Sequence, residues 1–439
     1  MTAPIFAALI LITLKCCFEY FLEKLNATHV AEKRHRIPSV FQKVFDRETF
    51  DKANDYTLAK SALGRKETVY DAVVLGLILF FAVIPWLYNG FSGWLGFGLW
   101  GQATTLVTIL FLFSLPGLPF EWVSQFRLEE SFGFNKTTPK LWWTDKLKGL
   151  VLTYLIGVPL AALILWIATQ FPSTWWLIGF GVVFGFQILM LVLYPILIVP
   201  LFNKLEPLPD GELKDRLMAL ADRTGFKAKT IQVIDGSKRS SHSNAYFTGF
   251  GRFRRIVLFD TLIEQLNPTE IEAVLAHEIG HYRRGHIPRM IAVAAGSLAL
   301  GFWVLQWLSM QDWFVGGFGF TRSPETYGEL ARFVPAFLLF IVLGGLVTFW
   351  VTPLFNRMSR KHEYEADRFA RDAMGSSKPL ISALRSMYKK NLSNLIPHPS
   401  YSRFYYSHPT LREREKSLRE GEPEDDAGAS GEPTAEGTA

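Results

Sequence analysis

Seven apolar stretches of spanning length, at 5–22, 69–88, 97–118, 149–171, 174–200, 287–308 and 332–354, constrain this chain more than any other feature. A helix needs roughly 20 apolar residues to cross the hydrocarbon of a bilayer, and lipid leaves no other partner for the backbone of an open chain. The pattern predicts an α-helical membrane protein with seven transmembrane helices. Hydrophobic residues at 49% against 20% charged exclude a disordered chain and an ordinary soluble enzyme. The first stretch carries Lys15 and Glu19, four residues apart. With no basic segment before it and no small-residue cleavage site after it, it reads as a retained anchor rather than a signal peptide. Buried charges there seek a cavity or each other. Cys16 and Cys17, side by side, build no disulfide framework.

Charge gives the orientation. Segment 23–68 holds ten Lys and Arg, whereas 89–96 and 172–173 hold none. The positive-inside bias therefore puts the N-terminus outside and the C-terminus in the cytoplasm. Net charge is +6, and setting aside the seven acids of 420–439 leaves +13 on the rest. A basic body of this kind suits anionic lipid, and no nucleic-acid module is visible. The expected division is 1–200 (five spans and their loops), 201–286 (a cytoplasmic α+β segment), 287–355 (two spans), 356–419 (a cytoplasmic helical segment) and 420–439 (a disordered acidic tail). Within 201–286, strands are expected at 231–234, 245–248 and 255–259, with a turn at Gly249-Phe250-Gly251.

The segment ends in chemistry. Asn267, Pro268 and Glu270 form a helix start with capping-box spacing. The helix then carries His277-Glu278-Ile279-Gly280-His281. Histidines at i and i+4 stand on one face, where both imidazoles reach one ion, and Glu278 flanks the place of a water; this is the HExxH pattern of zinc proteases. A catalytic zinc wants a third protein ligand and an open position. His286 fails the three-histidine spacing by one residue, and Arg284 stands where that pattern wants glycine. Farther on, Glu363 and Asp367 share a face of the helix continuing from the seventh span, while Glu365 points elsewhere. Glu363 is the leading third ligand, with His362 and His408 as rivals.

These residues, with 130–135, Asp145, Lys148, 200–204, 207–211, 235–246, 256–261 and 363–367, make the chain resemble the integral-membrane CAAX prenyl protease 1 family of zinc endopeptidases over about residues 1–420. The resemblance implies seven helices around a polar, water-filled chamber, with one Zn2+ per chain at its cytoplasmic end. It implies His277, His281 and Glu363 as ligands, Asp367 behind them, Glu278 as general base, and His408, followed by Pro409, lining the site. Asn244 would lie beside bound substrate, and Ala245 opens a strand that could pair with an extended peptide. The expected partners are a peptide or protein substrate, of which a prenylated C-terminal CAAX peptide is the family type, and the bilayer; nucleic acid is not one. Competing readings are a quality-control protease acting on non-prenylated membrane proteins, an intramembrane site-2-type protease, and a transporter with a structural metal. Polar residues around the motif, Glu270, Glu272, Arg283 and Arg284, argue against the second. The C-terminal residues carry no retrieval signal, which favours a bacterial inner membrane over the endoplasmic reticulum.

Overall fold

A computed structural model describes residues 2–226, 230–248, 255–321 and 327–420; the side chains of Phe247 and Thr248 are outside it, as are the expected 249–251 turn and the acidic residues after Glu420. Six helices are long and apolar enough to cross a membrane: Ala3–Lys33, Leu99–Glu129, Pro139–Gln170, Trp175–Phe202, His286–Ser309 and Leu330–Met374. A seventh crossing exists if Arg47–Phe80 and Val83–Leu95, bent by 63° at their junction, count as one. The junction falls inside the expected straight span 69–88. There Ala82 takes a left-handed conformation, φ 50° and ψ 40°, which an L-residue adopts only at a cost of roughly 1–2 kcal/mol. Pro85 has no N–H for the Phe81 carbonyl four residues before it, and its ring crowds that carbonyl, so the break has a local cause in the sequence.

Several of these helices run on past the roughly 20 residues that cross hydrocarbon. The last is one helix of 45 residues, Leu330–Met374, so the expected boundary at 355/356 is no break. Its membrane part packs in a core with Tyr88, Trp175 and Phe302, and its inner part in a second core with Leu217, Ile271, Leu275 and Leu384. One rigid rod thus enters both bodies. Between the cores lies a cavity of about 1310 Å³ whose lining includes Glu23, Tyr56, Lys60, Glu129, Asp145 and His242. Lys15 and Glu19 pair at 3.0 Å and face a smaller cavity of about 310 Å³ that also receives Glu67 and Asp71. Charge within the spans is therefore turned inward, away from lipid.

Residues 205–259 contribute a four-stranded sheet: β1 (Leu205–Pro207), β2 (Thr230–Ile234), β3 (Ala245–Thr248) and β4 (Arg255–Phe259), in the order β1-β2-β4-β3. β2 and β4 run parallel, and both outer strands are antiparallel to their neighbours. β3 is thus an edge. Motifs far apart in sequence latch this sheet to the spans. Arg239 holds Asp145 with two hydrogen bonds of 2.9 and 3.1 Å, and the Asn203 amide donates to Asp235 at 2.9 Å; between two of the spans, the Lys148 ammonium donates to the Leu201 carbonyl at 2.7 Å. Bidentate and charge-assisted bonds of this kind fix orientation as well as add stability.

Candidate metal centre

The HExxH helix, Pro268–Arg283, starts as its sequence dictates. Asn267 Oδ1 accepts from the Glu270 N–H and Glu270 Oε2 accepts from the Asn267 N–H, both at 3.0 Å. Glu270 also accepts from the Ser382 hydroxyl at 2.6 Å, tying the helix start to the helix Lys378–Lys390. The helix then crosses the 45-residue rod at Gly280. A Cβ added at Gly280 would meet the Ala366 Cα and carbonyl oxygen at 3.0 Å, so only glycine allows so close an approach. That approach brings residues 363 and 367 alongside both histidines.

Three donors converge. His277 Nε2 lies 3.2 Å from His281 Nε2, 3.4 Å from Glu363 Oε2, and His281 Nε2 lies 3.3 Å from Glu363 Oε1. Ligands at roughly 2.0–2.1 Å around a tetrahedral ion stand about 3.3–3.4 Å apart, close to the spacing of the two imidazoles from each other and of each from the nearer Glu363 oxygen. A further observation agrees: Glu363 Oε2 is buried with no hydrogen-bond partner among the described residues.

Behind the donors stands a buried anchor. His277 Nδ1 lies 2.8 Å from Asp367 Oδ1, and Arg414 grips both oxygens of Asp367 at 2.6 and 2.9 Å. Arg414 and Asp367 are 7% and 1% exposed, so neither charge has water to fall back on. An imidazole whose Nδ1–H is taken by a carboxylate presents a bare Nε2. Sequence reading missed Arg414. The signal was there: Leu411, Arg414 and Leu418 make an i, i+3, i+7 stripe on the helix Leu411–Arg419, opened by a Thr410/Glu413 capping box.

The other expected residues fall around this centre. Glu278 is partly open and makes no hydrogen bond or ion pair among the described residues; burial raises its carboxyl above the ordinary range, against the pull of His277 and His281. His408 Nε2 is 3.4 Å from Glu363 Oε1 with its side chain 62% exposed, so it borders the metal donors from the open side. His362 is not among the three donors; it stacks on His286 at 4.1 Å. His286 stands behind His281, their Nδ1 atoms 3.1 Å apart. Asn244 is exposed, caps the Ala245 N–H with its own side chain at 2.8 Å, and leads into the free edge of β3; neither Asn244 nor Ala245 bonds to the metal donors.

Comparison with known proteins decides the family. A family described as CAAX prenyl protease N-terminal, five membrane helices, matches residues 26–204, and peptidase family M48 matches residues 207–422. CAAX prenyl protease 1 of Saccharomyces cerevisiae is 37% identical, with 91% of this chain and 92% of that protein aligned. The chain belongs to the CAAX prenyl protease 1 family. The human homolog is 32% identical over 89% of this chain and 92% of its own length. The crystal structure of S. mikatae Ste24p superposes with a TM-score of 0.87 at 35% identity, covering 95% of this chain and 99% of that one. The protein is an integral, multi-pass membrane metalloendopeptidase, and the transporter and site-2-type readings fall away.

Proposed function

We propose that His277, His281 and Glu363 hold one zinc ion per chain and that the enzyme cleaves C-terminal CAAX peptides at the cytoplasmic face. The carrying observation is that the two Nε2 atoms lie 3.2 Å apart and that each has an oxygen of the Glu363 carboxylate within 3.3–3.4 Å. When bound, zinc supplies a Lewis acid that polarises the scissile carbonyl and acidifies water. The chain's own groups do the rest. Glu278, with its raised carboxyl and unengaged oxygens, accepts the proton of the attacking water and delivers it to the departing amine. His408, 3.4 Å from Glu363 on the open side of the donors, supplies an imidazole N–H to the oxygen that becomes negative; its proximity to Glu363 supports this role. Asp367, locked by Arg414, keeps His277 turned to the metal. The free edge of β3 offers main-chain partners to an extended substrate beginning beside Asn244 and Ala245.

Prenylated substrates of the CAAX type are supported by the names of the yeast, Arabidopsis and human relatives. Those relatives are eukaryotic, which weighs toward the endoplasmic reticulum and against the bacterial inner membrane; the loop charges support an outer N-terminus and a cytoplasmic C-terminus. Cleavage of a prenylated CAAX peptide and its non-prenylated twin, by wild type and Glu278→Gln, tests this reading. Wild type is expected to cut the prenylated peptide faster, and Glu278→Gln to keep its zinc while losing at least 100-fold in rate. Full cleavage by Glu278→Gln removes the base, and equal rates on both peptides favour a quality-control protease.

A further inference from the structure

The two histidines among the metal donors are supported differently. His277 hands its Nδ1–H directly to a carboxylate, Asp367 at 2.8 Å. His281 has no carboxylate behind it. Its Nδ1 meets another imidazole nitrogen, His286 Nδ1, at 3.1 Å, and His286 Nε2 meets Glu365 Oε2 at 2.9 Å. His286 is fully buried and stacks on His362 at 4.1 Å with ring planes 10° apart, so it cannot swing away. Gly285 makes the arrangement possible: its φ of 69° ends the HExxH helix and turns the chain so that His286 comes back against the residue five positions before it.

A contact between two imidazole nitrogens has only two settings, because one must donate and the other accept. In one, His281 Nδ1–H donates to His286 Nδ1 and His286 Nε2–H donates onward. In the other, His286 Nδ1–H donates to His281 Nδ1, and the remaining His281 proton sits on Nε2, aimed at His277 and Glu363. The second setting closes the donor triangle to a cation. Glu365 selects between them, since an ionised carboxylate only accepts and therefore requires a proton on His286 Nε2. Arg289 at 3.7 Å and Lys361 at 4.0 Å stand beside Glu365.

We infer that His286 and Glu365 are a positioning pair that fixes the tautomer of His281 through a one-way chain, Glu365 to His286 to His281, and so sets how tightly the centre holds its metal. The inference rests on the zinc reading above. Glu365, on nearly the opposite side of its helix from Glu363, is thereby given a role, and His286 acts from behind the ligands.

The test reads metal binding without any peptide. Zinc affinity of the full-length protein in detergent is measured by chelator competition for wild type, His286→Phe, Glu365→Leu and Glu365→Gln, with the thermal midpoint of each metal-free protein recorded alongside. His286→Phe keeps a ring for the stack on His362 and removes both nitrogens; Glu365→Gln keeps an acceptor oxygen that Glu365→Leu removes. Affinity is expected to fall 10–100-fold in His286→Phe and Glu365→Leu, and to return to within a few-fold of wild type in Glu365→Gln. Should His286→Phe fail to fold, the two Glu365 variants carry the comparison on a side chain that is one-fifth exposed. Variant affinities within twofold of wild type overturn the inference, as does an equal loss in Glu365→Gln and Glu365→Leu, or a lower metal-free midpoint with zinc affinity unchanged. A wild-type protein that binds no zinc overturns the underlying reading instead, so the two failures are distinct.

Discussion

The Asp367–Arg414 pair offers a quantitative test of how the centre is held. Both residues are buried, and their two hydrogen bonds measure 2.6 and 2.9 Å. Removing one member of such a pair leaves a charge with neither water nor partner and costs about 3–5 kcal/mol, whereas replacing both by apolar groups of similar volume is often nearly neutral. Asp367→Leu leaves Arg414 with only the more distant Glu363 carboxylate, 3.7 Å away, as a charged partner; Arg414→Met leaves Asp367 with only His277 as a partner. Each single variant should therefore lose about 3–5 kcal/mol. The double variant still loses the Asp367 acceptor for His277 Nδ1, worth roughly 1–3 kcal/mol. Its total loss should stay below the sum of the singles by at least about 2 kcal/mol. The assay is unfolding of the purified protein in mixed micelles by SDS titration, completing a double-mutant cycle. Additivity within about 0.5 kcal/mol would refute the claim that these two charges depend on each other.

Two other outcomes follow from the packing. Gly280→Ala drives a methyl group into the Ala366 backbone at 3.0 Å and should destabilise by about 1–3 kcal/mol while lowering zinc affinity, because the crossing that aligns Glu363 opens; unchanged metal binding would show that the close approach is dispensable. Asp145→Ala removes two of the three hydrogen bonds that dock the Arg239 guanidinium, leaving the one to the Phe202 carbonyl, and so loosens the segment leading to Asn244 and β3. Its expected signature is a several-fold higher KM for peptide with zinc content intact; a fall in kcat alone would place the latch elsewhere in the cycle.

Much of the centre was readable along the chain because it is local. The His277 and His281 pair needs only helical spacing, and its cap is written in Asn267, Pro268 and Glu270. Glu363 was harder, since its partners lie over eighty residues away, and spacing alone left His362 and His408 in contention. What excludes His362 is a tertiary event, its stacking on His286. Glu365 and His286 were invisible as a pair because the turn at Gly285 brings them together. The spans were legible from apolar length, but the 63° bend at Ala82 was passed over, although Pro85 removes the hydrogen bond to the Phe81 carbonyl at the break. β1 escaped notice because three residues ending in proline carry no strand pattern, and an edge is where such a strand is tolerated.

Metal content of the purified protein, wild type against Glu363→Ala, tests the central claim most directly. The account predicts about one zinc per chain in wild type and its loss, after equal dialysis, in the variant. An unchanged zinc-to-protein ratio in Glu363→Ala would contradict it and move the third ligand to another side chain.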